Sequence, residues 1–411
     1  MSMDWPAPLP EALARRVAKS FSLDPGWTFL NHGSFGATLI STQRRQQALH
    51  AQLERQPVDF FMRRYLSLLD ASRERLAAFV GATPAQIAFV PNATTGVSTV
   101  LRSLHFAPGD EILTTSHDYN ACRQALSFVA ERSGAEVRVA SIPFPPKSAD
   151  EIVDAVAHAM NPRTKLVLLD HVTSATALVM PVARLVALCT ERGVLSLVDG
   201  AHAPGMLEVD LKTLLPSFYT ANCHKWLCAP KGSGFLYVDA SLTERIHPLT
   251  VSHGETQGLT GRSRFHQEFD WTGTRDVTPE LCVGTAIDTL ESLLPGGIGE
   301  LRNRNRAMVL AGRELLAEVL GCRAALPPAE MVGSIATLEL PESATISPAG
   351  YAPGDALSRR LVAERIEAPI FSWSGTTGEA PKRLLRISAQ VYNVREHYER
   401  LAQVLARVLG S

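Results

Sequence analysis

The segments KLVLLDHV (165–172), VARLVALCTERG (182–193) and VLSLVDG (194–200) decide the fold of this chain. The first and the third are short apolar runs without polar alternation, which is typical of strands that are covered on both faces. The second segment is amphipathic and predicts the helix that connects them. Together they predict one βαβ unit.

The same alternation extends over residues 111–238, from EILTTS (111–116) to GFLYV (234–238). Strands that alternate with helices predict a mostly parallel sheet. We therefore expect an α/β fold with a mixed sheet sandwiched by helices. In such folds, active-site residues lie at the carboxyl ends of the strands.

The regions on either side of this alternating segment predict further helices and a second, smaller domain. Residues 41–55 and 64–80 are rich in Ala and Leu without internal proline, and they predict helices. The remaining elements are expected in this order: one long helix at 290–320, a strand at 334–340, a turn-rich loop at 340–355, a helix at 355–365, a strand at 383–389 and a final helix through Val408. That order predicts a compact α+β domain.

A chain of 411 residues exceeds what one hydrophobic core usually serves, so we expect roughly two domains in one continuous fold. The predicted division is an N-terminal segment (1–30) that packs on the small domain, a large domain (31–285) and a small C-terminal domain (286–411).

The charge and cysteine content limit the classes of partner. The 40 basic and 41 acidic side chains give a formal net charge of −1, so no global field attracts nucleic acid or an anionic membrane, and a small-molecule partner is expected. The six cysteines form no CxxC pair and predict reduced thiols, which favours a cytoplasmic location. Residues 1–10 lack the pattern of an export signal, and no apolar run is long enough to span a bilayer.

Three polar elements follow predicted strands, and each has a plain structural alternative. Lys225 in NCHKW (222–226) could hold a cofactor, although a lone lysine there more often packs its stem and exposes its ammonium. Asp199 could pair with a protonated pyridine nitrogen or cap the next segment. Thr94 and Thr95 precede a helix, where backbone N–H groups can bind phosphate or the hydroxyls can serve as caps. In this order, the three elements together describe one cofactor, pyridoxal 5'-phosphate (PLP).

Here the chain resembles the class V aminotransferase family of fold-type I PLP-dependent enzymes, most closely its isopenicillin N epimerase-like branch. The resemblance covers nearly the whole chain. It is carried by these motifs in order: FLNHGSFGAT (29–38), NATTG (92–96), HDYNA (117–121), LDHVTSATA (169–177), VDGAH (198–202), CHKWL (223–227), FDWTGTRD (269–276) and RISAQVYN (386–393).

The resemblance implies roles for individual residues around the cofactor. It makes Lys225 the Schiff-base lysine, Asp199 the partner of the pyridine nitrogen and His202 the neighbour of the phenolic oxygen, and it gives these three catalytic roles. Tyr119 is expected over the ring. The expected phosphate contacts are Thr94, Thr95, His224 and, from the neighbouring subunit of a homodimer, Gly273 and Thr274.

The resemblance also implies how an amino-acid substrate is bound. Arg386 occupies the position of an arginine that grips the α-carboxylate, a task that suits a planar guanidinium. The alternative is a surface arginine on a strand. His32 and Ser34 are expected to line the substrate entrance, and no metal is expected.

The reaction type follows from the same family. We expect an external aldimine with the amino acid, a Cα carbanion and the freed Lys225 amine as the base. An epimerase is the first expectation, a β-eliminating C–S lyase is the alternative, and a transaminase is third. Cysteine desulfurases carry a nucleophilic cysteine shortly before the carboxylate arginine, whereas residues 366–388 contain none. A non-catalytic module is least expected, because the chain keeps both Lys225 and Arg386.

Overall fold

The computed structural model describes residues 4–256, 261–341, 350–351, 353–375 and 381–409. The strands are β1 (Thr28–Phe29), β2 (Ile87–Val90), β3 (Glu111–Thr115), β4 (Glu136–Ala140), β5 (Thr164–Asp170), β6 (Leu195–Asp199), β7 (Phe218–Asn222), β8 (Gly234–Val238), β9 (Ile335–Glu339), β10 (Gly350–Tyr351), β11 (Ile366–Glu367), β12 (Ile370–Trp373) and β13 (Lys382–Ser388).

The α-helices are α1 (Glu11–Ala18), α2 (His32–Phe35), α3 (Ile40–Arg55), α4 (Pro57–Asp59), α5 (Tyr65–Phe79), α6 (Ala93–Ser103), α7 (Asn120–Ser133), α8 (Ala149–Ala159), α9 (Val182–Glu191), α10 (Leu211–Leu214), α11 (Arg264–Asp270), α12 (Thr278–Leu281), α13 (Val283–Leu293), α14 (Gly297–Leu320), α15 (Ala356–Ala363) and α16 (Arg395–Leu409). A π-helical turn, Phe60–Arg64, joins α4 to α5. Among the described residues, no helix combines the length and the apolar character needed to cross a bilayer.

A seven-stranded sheet with the order β2-β8-β7-β6-β5-β3-β4 forms the centre of the protein. The strands from β4 to β7 pair in parallel, whereas β8 runs antiparallel to both β7 and β2. The predicted α/β class with a mostly parallel mixed sheet is therefore confirmed.

Alternate residues of the central strands pack on opposite faces of this sheet. In β5, Val167 and Leu169 belong to the hydrophobic cluster on one face, and Leu166 and Leu168 belong to the cluster on the other. Side chains alternate in direction along a strand, so a strand covered on both sides has no polar face. This double burial explains the unbroken apolar runs of the sequence.

The direction of the strands brings distant segments together. Strands β2, β3, β5, β6 and β7 all run in the same direction, so their carboxyl ends meet at one edge of the sheet. The segments that follow these strands carry most of the predicted site residues.

A second sheet, with the order β10-β12-β13-β9, is antiparallel and has its own hydrophobic cluster with α14 and α16. The N-terminal strand β1 pairs in parallel with β11. This pairing supports the proposed packing of residues 1–30 on a small domain, and the boundaries at residues 30 and 285 stay predictions.

The sequence predicted one helix at 290–320, and this was wrong. The structure has two helices, α13 and α14, with a break at Leu294–Gly296. Leu294 is extended (φ −118°, ψ 154°), because Pro295 disfavours a helical residue before it. The other predicted helices and strands of the C-terminal part are present. Most of the predicted loop at 340–355, namely 342–349 and 352, lies outside the described residues.

Gly312 allows α14 and α16 to approach closely. A Cβ atom at this position would lie 2.4 Å from Cδ1 of the buried Tyr398 on α16. We expect Gly312→Ala to destabilise the protein by about 1–3 kcal/mol through overpacking. Gly284 on α13 is the matched control, since its added Cβ would make an ordinary 3.5 Å contact with Arg75. There, the better helix propensity of alanine should stabilise by about 0.5–1 kcal/mol. Shifts of the urea midpoint measure both effects, and equal shifts for the two variants would contradict the close packing.

Candidate active site

Lys225 lies just beyond the carboxyl end of β7, in the segment between β7 and β8. Its Nζ is 3.0 Å from Nε2 of His202, which follows β6. Burial, with a further contribution from the nearby Arg386 guanidinium, lowers the pKa of Lys225 to about 8. A substantial fraction of this amine is therefore neutral at ordinary pH, as a nucleophile or base requires.

Gly36 keeps the segment after α2 tight against this lysine. A Cβ at Gly36 would lie 2.0 Å from the carbonyl oxygen of His224 and 2.9 Å from Cα of Lys225. Its φ of +69° is also in the region that favours glycine. The motif FLNHGSFGAT thus packs directly against the backbone of the CHKWL motif.

Asp199, the last residue of β6, is buried beside this lysine segment. Its Oδ1 accepts a hydrogen bond from the N–H of Ala201 (2.9 Å), and its Oδ2 accepts one from Sγ of Cys122 (3.2 Å). Burial raises its pKa, which the Ala201 and Cys122 hydrogen bonds and the positive charge of Lys225 oppose. A cationic partner would favour the ionised form of this carboxyl.

Asp170 and Cys122 are site neighbours that the sequence reasoning missed. Asp170 ends β5 and is the register partner of Asp199 in the adjacent strand. Burial and the charge of Asp199 raise its pKa well above the ordinary value. The signal for Asp170 was available, because KLVLLD runs from an apolar strand into an acid just as LSLVD does. Cys122 offered no such signal.

The N-terminus of α6 provides an anion site at the carboxyl end of β2. Asn92 is the cap, and its Oδ1 accepts hydrogen bonds from both N and Oγ1 of Thr95. Ala93 N donates to Asn222 Oδ1 at the end of β7 (2.9 Å). Among the described residues, the N–H and the hydroxyl of Thr94 have no partner, so this residue is open to an anion.

His224 lies next to Lys225 with one ring nitrogen already bound. Its Nδ1 is 3.1 Å from the carbonyl oxygen of Ser233, and this oxygen can only accept, so Nδ1 carries the proton. Burial lowers the pKa of His224 to about 4. Nε2 can donate to a phosphate only after it gains a second proton, which a bound anion would favour.

Arg386, in the middle of β13, is buried without an anionic partner among the described residues. Its Nη1 donates to the carbonyl oxygen of Ser174 (2.7 Å), and its Nη2 donates to Oγ of Ser34 (2.9 Å). The guanidinium carbon is 4.7 Å from the ring centroid of Phe371. A buried cation held only by neutral groups is costly unless a ligand supplies the negative charge. This placement excludes the alternative of a surface arginine.

One cavity of about 790 Å³ lies at this site, and Asp199, His202, His224, Thr94 and Thr95 are not among its lining residues. Lys225, Arg386, Tyr119 and Ser34 all line it. Tyr119 is 44% exposed, and burial of its hydroxyl raises its pKa, so the phenol is protonated at neutral pH. The volume is typical of a site for a cofactor together with a small substrate.

One of the expected placements differs from the structure. His32 is fully buried behind Lys225 and does not line the cavity. Its Nε2 donates to the carbonyl oxygen of Lys225 (3.1 Å), and its Nδ1 contacts the hydroxyl of Tyr392 (2.9 Å). His32 therefore fixes the backbone of the lysine and does not form the substrate entrance. Gly273 and Thr274 are not among the residues that line this cavity, and their expected role in the neighbouring subunit stays a prediction.

The donor set fits PLP on the grounds of its own chemistry. An amine with a lowered pKa, a buried carboxylate and an open helix N-terminus suit, respectively, an aldehyde, a pyridine nitrogen and a phosphate. The uncompensated guanidinium of Arg386 leaves a place for the carboxylate of an amino acid.

Comparison with known proteins agrees with this geometry. A family model described as Aminotransferase class-V matches residues 41–401. The isopenicillin N epimerase of Streptomyces clavuligerus is 36% identical over 404 residues, which cover 95% of this chain and 96% of that protein. A putative L-cysteine desulfhydrase of Oryza sativa subsp. japonica is 32% identical over 94% of this chain and 84% of its own length.

A solved structure of the cystine C–S lyase C-DES, in complex with its reaction product cysteine persulfide, has the same fold. It matches with a TM-score of 0.74 and 23% identity, and it covers 93% of this chain and 98% of that one. Since both the family model and the relatives span most of its length, the chain belongs to the class V aminotransferase family of PLP-dependent enzymes.

Proposed function

We propose that this enzyme epimerises the Cα centre of an amino-acid substrate, as the name of its isopenicillin N epimerase relative states for that protein. The observation that carries the amino-acid specificity is the buried Arg386, which faces the same cavity as Lys225 and has no carboxylate partner among the described residues. The 36% identity over 95% of the chain favours epimerisation over other fates of the substrate.

In this proposal, each group of the site has one task. PLP, when bound, supplies an electron sink that makes the Cα proton of the substrate acidic. Asp199 provides the negative charge beside which a pyridinium is stable. Arg386 binds the α-carboxylate and so orients Cα toward Lys225. The neutral amine of Lys225 then accepts the Cα proton.

Thr94, Thr95 and His224 are the proposed phosphate ligands. The N–H of Thr94 is open, whereas Thr95 has to exchange its hydrogen bonds to Asn92 for the phosphate. His202 is the proposed neighbour of the phenolic oxygen. Tyr119 is proposed over the ring, and its protonated hydroxyl is available as a proton donor in the cavity. Epimerisation needs such a donor on the face of Cα opposite to the base, or a lysine that serves both faces.

A β-eliminating C–S lyase is the second candidate. The 32% identity to a putative L-cysteine desulfhydrase favours it, and the same cavity could bind L-cysteine through Arg386. A nucleophilic cysteine is absent from the sequence of residues 366–388, of which 376–380 lie outside the described residues. Persulfide formation by a cysteine at that place is therefore not proposed, and transamination is third.

Replacing Arg386 tests substrate recognition. We expect Arg386→Gln to lower kcat/KM for an amino-acid substrate by about 100-fold, because two charge-assisted hydrogen bonds are lost. Arg386→Lys should recover only part of this loss, because an ammonium lacks the planar fork. Steady-state kinetics measures both. The absorbance of the Lys225-bound cofactor is the control and should be unchanged. A wild-type kcat/KM in Arg386→Gln would remove the assignment.

The reaction type is tested with isopenicillin N and L-cysteine, each incubated with the holoenzyme in deuterated water. We expect deuterium at Cα with inverted configuration and no pyruvate from either compound. Chiral chromatography and mass spectrometry follow the label, and Lys225→Ala is the inactive control. Pyruvate and sulfide from L-cysteine without inversion would favour the lyase, and conversion of the cofactor to its pyridoxamine form would reveal transamination.

We also propose a homodimer in which each subunit completes the site of the other, in a cytoplasmic location. Asp270 forms buried ion pairs at one end of the loop that carries Gly273 and Thr274, and Arg275 pairs with Glu280 (2.7 Å) at the other. A loop that is clamped at both ends, and whose Gly273 and Thr274 do not line the cavity of their own chain, is suited to contact a partner. Exposed Phe35 at the cavity mouth is apolar surface that a partner would cover.

Hybrid dimers test the exchange of this loop. One hybrid carries Lys225→Ala and Thr274→Val on the same subunit beside a wild-type subunit, so the only remaining Lys225 site faces an altered loop. Its PLP affinity should fall about 10-fold through loss of one charged hydrogen bond. A second hybrid with the two changes on separate subunits should bind PLP normally. Equal affinities for the two hybrids, or a monomeric holoenzyme in sedimentation, would contradict the proposal.

A further inference from the structure

Trp226, which directly follows Lys225, contacts the histidine that contacts that lysine. The indole is 1% exposed, and its Nε1 lies 3.3 Å from Nδ1 of His202. The other ring nitrogen of His202, Nε2, lies 3.0 Å from Nζ of Lys225. The two ring nitrogens of His202 thus contact an indole N–H on one side and a lysine amine on the other.

We propose that Trp226 is a positioning residue, which fixes His202 in the tautomer with its proton on Nε2, so that His202 donates a hydrogen bond to a neutral Lys225 amine. The inference deepens the proposed function, because it rests on Lys225 as the reactive amine.

Counting donors and acceptors leads to this assignment. An indole N–H can only donate, so Nδ1 of His202 must accept. A neutral imidazole that accepts at Nδ1 carries its proton on Nε2. An ammonium at Lys225 can only donate, and it would then face an N–H with no lone pair. The neutral amine of Lys225 has a lone pair and completes the chain of hydrogen bonds.

The surroundings hold Trp226 in this position. Its ring packs on the ring of His32 with centroids 4.8 Å apart. His32 is itself fixed, since its Nε2 donates to the carbonyl oxygen of Lys225 and its Nδ1 contacts Tyr392. Burial lowers the pKa of His32 to about 3, so this ring stays neutral and brings no competing charge.

The other titratable groups near Lys225 act in both directions. Arg386 disfavours the ammonium form, whereas Asp199, Cys122 and Asp170 favour it. Burial lowers the pKa of His202 far below its ordinary value, so it does not become a second cation. The Nε2–H tautomer of His202 further disfavours the ammonium form of Lys225, because it removes the acceptor that an ammonium would use.

Nitrogen NMR of the apoenzyme reads the tautomer directly. In protein labelled with 15N-histidine, the nitrogen shifts separate Nδ1–H from Nε2–H rings, and loss of one signal set in His202→Gln assigns the residue. We expect the Nε2–H form in the wild type. A wild-type ring protonated on Nδ1 would overturn the inference without any Trp226 variant.

Trp226→Phe then tests the cause. It keeps an aromatic ring against His32 and removes only the N–H, which frees Nδ1 to take the proton and Nε2 to accept from an ammonium. We expect the Nδ1–H form to be populated. We also expect the pH midpoint for capture of PLP by the apoenzyme, which needs the neutral amine and should lie near 8 in the wild type, to rise by about one unit.

Trp373→Phe is the matched control. The indole of Trp373 is also buried and donates to a backbone carbonyl, that of Ser116 (3.2 Å), but it does not touch His202. It should leave the His202 tautomer and the capture midpoint unchanged. If Trp226→Phe also leaves both unchanged, the inference fails. If wild-type apoenzyme does not capture PLP through Lys225 at all, the proposed function fails instead.

Discussion

The carboxyl edge of the central sheet is the constraint on which this structure depends. Both faces of β5 and β6 are covered by apolar clusters, so polar side chains on these strands can be solvated or paired only at the strand ends. Because these strands are parallel, their last residues, Asp170 and Asp199, lie side by side. Lys225 reaches the same edge from β7. Residues far apart in the chain therefore form one site.

Burial at this edge sets the charge state of the site. His32 and His224 have pKa values lowered to about 3 and 4, and the pKa of His202 is lower than normal as well, so all three histidines are neutral. Burial raises the pKa of both Asp170 and Asp199, but at Asp199 the positive charge of Lys225 opposes this rise, so Asp199 is the carboxylate better suited to a cationic ring. The described lining of the cavity thus contains Arg386, which has no carboxylate partner among the described residues, and the Arg123–Asp118 ion pair, whose charges offset each other. An amino acid with a free carboxylate complements this arrangement.

The fold was largely predictable from the sequence. Strands that are buried on both faces appear in the sequence as unbroken apolar runs, and these alternate with amphipathic helices. The prediction of a single helix at 290–320 was wrong for a local reason, since Pro295 imposes an extended residue on an otherwise helical pattern. Lys225 and Asp199 were visible as polar residues at strand ends. Arg386 was identified only through the family resemblance, because β13 alone looks like an ordinary strand. Only tertiary packing shows that Arg386 is buried without a carboxylate partner among the described residues.

What the sequence could not provide is the direction of the hydrogen bonds around the lysine. His32, within FLNHGSFGAT, looked like a residue of the substrate entrance, yet it donates to the backbone of Lys225. Trp226 had no assigned role, yet its N–H points at His202. Both assignments depend on contacts between segments about 20 to 190 residues apart. Residue types alone fix which groups can donate, but the fold decides which acceptor each donor meets, and at this site that choice decides which nitrogen of His202 faces the lysine.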